Sequence, residues 1–298
     1  MKVIQSYGQG VGRSVQEMKM AVLLWVCNAF FASSLYFLVS GYLKNALGSS
    51  SIAEDLVRRF DFGIFIELLI HKGGAVRTII SAALVLGVLY FWVSVFLHGG
   101  ILHTLVRSRN AGDGDEKPRR ISRVFFEGAG KYFGRFFRLT LYSLLLWVGG
   151  AVLFLLFNAV LKPFTANGLN EKLVFYLVAL RVIIGVFLFF LIRMILDYAR
   201  VMIVRQDMRH VFRALLKSVG FVFTRLGKTL GLYYLLVLTG VVLFLIYWGV
   251  QSLIPTYSFV SIMLAFLVGQ IFILSRGWLK VLFQAAQLHF FSLTRTQT

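Results

Sequence analysis

Six stretches of the chain are apolar over lengths that a lipid bilayer requires: about 20–43, 78–105, 139–161, 173–195, 230–254 and 259–278. A hydrocarbon core about 30 Å thick is crossed by roughly 20 apolar residues in a helix. Each run is continuous, whereas a membrane strand alternates lipid-facing and lumen-facing residues over about ten positions. Backbone groups in lipid must bond within their own segment, so the runs predict helices. The expected fold is an all-α integral membrane protein, one transmembrane domain of six helices over residues 1–298. Composition agrees, because only 14% of residues are charged, against about 25% in soluble domains.

The lysines and arginines are distributed unequally about these spans. The N-terminal tail, the segments 106–138 and 193–228 and the C-terminal part hold 23 of them, and the opposite connections hold seven. Under the positive-inside rule this bias puts both termini in the cytoplasm. The net charge of +19 is then matched to the anionic inner leaflet, where each basic residue contributes about 1 kcal/mol near the surface. No zinc spacing, RNP-type motif or compact basic domain points to nucleic acid.

Two cytoplasmic segments and the spans after them repeat each other. Residues 130–155 align without a gap onto 220–245, matching Gly130/Gly220, Phe133/Phe223, Arg135/Arg225, Arg138/Lys228, Gly150/Gly240 and the runs Val152-Leu153-Phe154-Leu155 and Val242-Leu243-Phe244-Leu245. Such a parallel repeat at an offset of about 90 implies a pseudo-twofold axis along the membrane normal. In the segment 119–138, Ile121, Val124, Phe125, Tyr132, Phe133, Phe136 and Phe137 recur at helical spacing beside a charged row of Arg119, Arg123, Glu127, Lys131 and Arg135. In 208–228, Val211, Phe212, Leu215, Leu216, Val219, Val222, Phe223 and Leu226 accompany Arg209, Arg213 and Lys217. Both read as amphipathic elbow helices in the headgroup plane. Lys131, Arg135, Arg138, Arg213, Lys217, Arg225 and Lys228 are the expected contacts to anionic lipid headgroups or a partner.

The connections say less. Ser51 and Glu54 fit a capping box opening an external amphipathic helix over about 50–70. The run Gly8-Gln9-Gly10-Val11-Gly12 reads as a flexible tail. Pro118, Pro163 and Pro255 are expected in connections, where they break no helix. The first apolar run is longer than a signal h-region and is read as a retained anchor. The single cysteine, Cys27, is expected to pack within that span.

Chemistry-bearing groupings are scarce. His98 and His103 lie five apart and cannot share one helix face as metal ligands, and His71, His210 and His289 are isolated. No HExxH, GxSxG, P-loop or dinucleotide fingerprint occurs, so no catalytic residue, metal or cofactor is expected. Two intramembrane charges stand out. Arg181 lies inside the fourth span, where an arginine costs about 2.5 kcal/mol or more unless it snorkels or pairs; Glu67 and Glu171 are its candidate partners. Asp197 has Arg193 and Arg200 at i−4 and i+3, spacing that neutralises it within its own helix. Asn28, Asn158 and Gln270 read as hydrogen-bonding glue between helices.

His98-Gly99-Gly100-Ile101 closing one span, a polar stretch, and Gly134-Arg135-Phe136-Phe137-Arg138-Leu139 opening the next resemble uncharacterised bacterial six-span proteins, akin to the membrane domain that accompanies some glycerophosphodiester phosphodiesterases. That resemblance implies a helical membrane fold without an activity of its own, since the soluble domain carrying the catalytic acids and histidines is missing from these residues. The combined expectation is a non-enzymatic protein of the bacterial inner membrane, an accessory or scaffold subunit binding anionic phospholipid and other subunits of a complex. A transporter or permease for a lipid or amphiphilic anion is the alternative.

Overall fold

The computed structural model describes residues 2–47, 73–110, 121–166, 171–255 and 258–295. The expected external helix at 50–70, Glu67, Arg119 and Pro118 lie outside the described residues. Eight helices follow one another: α1 Lys2–Gln16, α2 Met18–Leu47, α3 Gly73–Asn110, α4 Ile121–Ala166, α5 Glu171–Arg205, α6 Val211–Thr224, α7 Leu226–Ser252 and α8 Phe259–Arg295. No strand occurs among the described residues. α2, α3, α4, α5, α7 and α8 are each long and apolar enough to cross a membrane, the architecture of a multi-pass membrane protein.

Helix length decides how these elements are used. At 1.5 Å per residue, the 46 residues of α4 extend about 69 Å and the 37 of α8 about 55 Å, well beyond a 30 Å core. Each long helix therefore has an apolar half and a second half that packs. In the compact unit formed by residues 1–21 and 96–298, the buried side chains gather toward the C-terminal ends of α3, α5 and α8 and the N-terminal ends of α4 and α7. They include Ile101, Leu102 and Leu105 of α3, Val124, Phe125, Ala129, Tyr132 and Phe136 of α4, and Met194, Tyr198, Met202 and Ile203 of α5. Leu232 and Leu236 of α7 and Val281, Leu282, Leu288 and Phe290 of α8 complete this core. The most apolar windows face outward instead: none of the window in α4 or α8 is buried, and 22% of that in α7. Lipid, not protein, is the solvent that such surfaces fit.

α1 is a docked helix and not the flexible tail its glycines suggested. Ser6, Gly10 and Ser14, four residues apart, are its buried face, and small residues at that spacing let two helix backbones approach closely. A Cβ on Gly10 would lie 2.7 Å from Ala286 Cβ and 2.9 Å from Ala286 Cα. The Tyr7 and Thr239 hydroxyls hydrogen-bond at 2.8 Å, and Ser6 approaches the buried ring of His289. α1 thus lies against α7 and the C-terminal half of α8.

The two expected elbows take different forms. Residues 121–138 are the first turns of the unbroken α4, whereas α6 is a separate helix ending at Arg225 (φ −133°, ψ 29°) before α7. Their apolar stripes are wider than one face. Phe125, Tyr132 and Phe136 pack inward while Phe126 stays 61% exposed, and α6 divides likewise between buried Val211, Leu215 and Val222 and exposed Phe212, Leu216 and Phe223. Glycines again set the packing. A Cβ on Gly99 would lie 3.5 Å from Tyr132 Cβ, one on Gly100 would meet the Phe125 ring and one on Gly128 the His103 side chain, so the Gly99-Gly100 pair is a close approach of α3 to α4.

Two smaller expectations are corrected. Pro163 lies inside α4, in its last turn, where one missing N–H leaves the preceding turns intact. Asn158 bonds the carbonyl of Phe154 in its own helix at 2.8 Å, the back-bonding open to any short polar side chain on a helix, and makes no bond to another helix among the described residues. The second unit, residues 22–95, contains the expected inter-helix bond: Tyr90 donates to Asn28 Oδ1 at 2.9 Å and meets Phe31 edge-on at 5.3 Å.

Candidate functional site

α5 and α8 face each other across a cavity of about 180 Å³ at the packed end. On α5, Arg193, Asp197 and Arg200 share one helical face; on α8, Lys280, Gln284 and Gln287 follow the same i, i+4, i+7 spacing. Phe136 of α4, Tyr233 of α7 and His98 of α3 close the remaining sides. Gln287 and Tyr233 are buried, while Arg193 and Lys280 stand exposed at the rim.

The polar contacts leave the site positively charged. Arg200 Nη1 donates to Asp197 Oδ1 at 2.9 Å, the i,i+3 pairing expected from the sequence. Gln287 Nε2 reaches Asp197 Oδ2 at 3.4 Å, so both oxygens of the only carboxylate in the lining are used. Arg193 interacts with the Tyr233 hydroxyl. Gln284 Oε1 is buried and has no hydrogen-bond partner among the described residues. Three cations and one carboxylate surround the space, an arrangement suited to an anion.

A second basic cluster closes the end of α5. Asp207 sits in the left-handed region at φ 46°, and Met208 N–H bonds the Ile203 carbonyl at 3.1 Å; this is a helix-terminating Schellman pattern with aspartate where glycine is usual. Its carboxylate accepts from Arg135 Nη1 at 2.6 Å, Lys131 Nζ at 3.0 Å and the Tyr132 hydroxyl at 3.3 Å. Arg135 also reaches the Met208 carbonyl and stacks over Tyr132 at 5.2 Å. Burial opposes the charge on Asp207, but the hydrogen bonds from Arg135 and Lys131 outweigh it and bring the carboxyl from its ordinary 3.8 to about 2.

The stability linked to Asp207 is therefore complete above about pH 4 and lost as pH falls through about 2. Because the side chain is 53% exposed, solvent screens the pair to at most about 1 kcal/mol. Asp207→Asn is expected to lower the unfolding midpoint of detergent-solubilised protein slightly at pH 7 and to leave it unchanged below about pH 2. A constant difference across that range contradicts the ion-pair assignment.

Arg225 has a related environment. It stacks over Phe221 at 5.1 Å, and its Nη2 donates to the Thr294 carbonyl at 3.3 Å, at the end of α8. Cations fit there because helix C-termini carry partial negative charge. Lys131, Arg135 and Arg225, expected at headgroups, are thus engaged within the protein, whereas Arg138, Arg213, Lys217 and Lys228 are exposed. Arg181 is half-buried among exposed apolar residues of α5; the side chain of its candidate partner Glu171 lies outside the described residues.

Sequence reasoning missed Asp207 and the α8 wall. The signals were present: one acid directly after the basic end of a helix, and three polar residues at heptad-like spacing in an apolar helix. No His/Cys/Asp/Glu group suited to a metal ion occurs among the described residues. Compared with protein families, characterised proteins and solved structures, the chain matches none.

Proposed function

We propose that the protein is a non-enzymatic multi-pass protein of the bacterial inner membrane that holds anionic phospholipid at its cytoplasmic face, as an accessory or scaffold subunit of a membrane complex. The three faces of α6 carry this reading. Val211, Ala214, Leu215, Ser218 and Val222 pack inward, Phe212, Leu216 and Phe223 are exposed apolar residues, and Arg213 and Lys217 are exposed cations. A helix anchored to protein on one side, apolar on the second and basic on the third fits the headgroup layer. The excess of basic residues on this side supports the cytoplasmic assignment.

The arginine contacts support reading the chain as two related units, each an elbow and a helical hairpin. Arg135 binds beyond the end of α5 and the aligned Arg225 binds the end of α8. The aligned glycines Gly150 and Gly240 each lie against an aliphatic side chain of the returning helix, Ile192 and Leu279. On that returning helix the correspondence runs at 87 residues, pairing Ile192 with Leu279 and Asp207 with Thr294. The resemblance to phosphodiesterase-associated membrane domains fits the same non-hydrolytic role.

Replacing Arg213 and Lys217 together by glutamine removes about 2 kcal/mol of surface attraction, roughly a thirtyfold change in relative affinity. Phosphatidylglycerol copurifying in mild detergent, relative to phosphatidylethanolamine, is expected to fall several-fold. An unchanged ratio in folded double variant removes α6 as the lipid contact. The scaffold part of the reading expects a stoichiometric protein partner in the same preparation; a chain that purifies with lipid alone contradicts it.

A further inference from the structure

We infer that the cavity between α5 and α8 is a phosphate-binding site, whose ligand is a phosphate group carried by a phospholipid or free in solution. The inference rests on the membrane reading but not on α6, because the site is formed by different residues. Asp197 is occupied by Arg200 and Gln287, and among the described residues no carboxylate pairs with Arg193 or Lys280. Lys280 has two cations as electrostatic neighbours, Arg193 and Arg276. Like charges gathered at a partly desolvated rim repel one another, and an anion between them reverses the sign of that interaction.

The walls show why the site is not neutralised from within. Arg193 and Lys280, Asp197 and Gln284, and Arg200 and Gln287 stand 87 residues apart, the spacing that relates the returning helices. Where α5 has the carboxylate of Asp197, α8 has the amide of Gln284. That amide ends in a buried Oε1 without a partner among the described residues, and which end of an amide points into a cavity is set by what occupies it. Gln284 lines the cavity, and an amide turned so that its nitrogen faces that space presents two N–H donors to a phosphate oxygen.

Position selects the phospholipid as the first source to test. Arg193 and Lys280 lie at the rim, and within a few residues α5 exposes Phe189 and Val186, while α8 exposes Ile271 two to three turns away. A phosphate held at the rim would leave acyl chains along these apolar surfaces. The volume of about 180 Å³ corresponds to several waters at about 30 Å³ each, enough for a phosphoryl group.

The test uses the full chain in nanodiscs of phosphatidylcholine, with or without phosphatidylglycerol, and in detergent with inorganic phosphate. Native mass spectrometry and thermal unfolding are followed for the wild type, Arg193→Gln/Lys280→Gln and Gln284→Glu. One phosphatidylglycerol retained per wild-type chain, reduced tenfold or more in the double variant, supports the lipid source. Stabilisation by inorganic phosphate alone, with the same dependence on Arg193 and Lys280, supports the free source. Gln284→Glu supplies an anion internally, so it is expected to raise the melting temperature without ligand and to abolish the phosphate-dependent shift. Arg213→Gln/Lys217→Gln should leave the tight lipid in place, which separates this site from the surface of α6. Retention and melting shifts that are equal in all chains, or absent from the wild type, overturn the inference. So does a Gln284→Glu chain that is less stable yet binds normally.

Discussion

Gly10→Leu is expected to unseat α1 and expose the N-terminal segment to protease. The glycine faces the backbone of α8 at Ala286, 2.9 Å from where a Cβ would begin, so no rotamer relieves the clash. Ala286 is itself fully buried and cannot retreat, which leaves α1 to move. Overpacking of a tight contact costs about 1–3 kcal/mol, and displacement forfeits the Tyr7–Thr239 bond and the burial of Ser6 and Ser14 as well. Brief trypsin treatment should therefore cut at Arg13 in the variant and spare it in the wild type. A methyl group added at Gly8 or Gly12 would meet nothing within 4 Å, so Gly8→Ala and Gly12→Ala are expected to strengthen the helix by up to about 1 kcal/mol each. Equal trypsin sensitivity of Gly10→Leu and Gly8→Ala rules out the docked position of α1.

Tyr198 should give opposite results for its two simplest substitutions. It is completely buried and its ring meets Phe221 of α6 at 5.0 Å and Phe290 of α8 at 6.4 Å, so one side chain joins three helices. Truncation to alanine leaves a cavity in a packed interior, and Tyr198→Ala is expected to cost about 3–5 kcal/mol. The hydroxyl, by contrast, has no hydrogen-bond partner among the described residues. Removing a buried unsatisfied group relieves a penalty on the order of 1 kcal/mol, so Tyr198→Phe is expected to stabilise. Unfolding by sodium dodecyl sulfate measures both: the alanine midpoint should fall well below the wild type and the phenylalanine midpoint rise above it. A phenylalanine variant less stable than the wild type shows that the hydroxyl is bonded.

Sequence reading succeeded on the long apolar elements and stopped at the contacts between them. The membrane helices were legible because twenty consecutive apolar residues have few other solutions, and the i,i+3 neutralisation of Asp197 by Arg200 followed from helix geometry. α1 was not read as a helix, because three glycines lower helix propensity and the compensating contact lies on α8, more than 270 residues away in sequence. The four-residue spacing of Ser6, Gly10 and Ser14 was its only local trace. Half the cavity was visible in Arg193, Asp197 and Arg200. Its other wall became visible only once tertiary packing brought Lys280, Gln284 and Gln287 opposite. Lys131 and Arg135 looked available to headgroups because their charged row holds four cations and one acid, Glu127. The acid that binds both, Asp207, is a helix cap on the next element.

Membrane sidedness of the packed, basic end is the premise shared by the lipid contacts, the cavity and the paired hairpins. Single cysteines in place of Arg138 and Lys217, both exposed, in a Cys27→Ser background allow that end to be located with a membrane-impermeant maleimide. Reaction of both positions in inside-out vesicles and of neither in intact cells is the expected outcome. Reaction of the two positions from opposite faces of the bilayer contradicts the paired-hairpin architecture, and reaction of both from the outside contradicts the cytoplasmic lipid site.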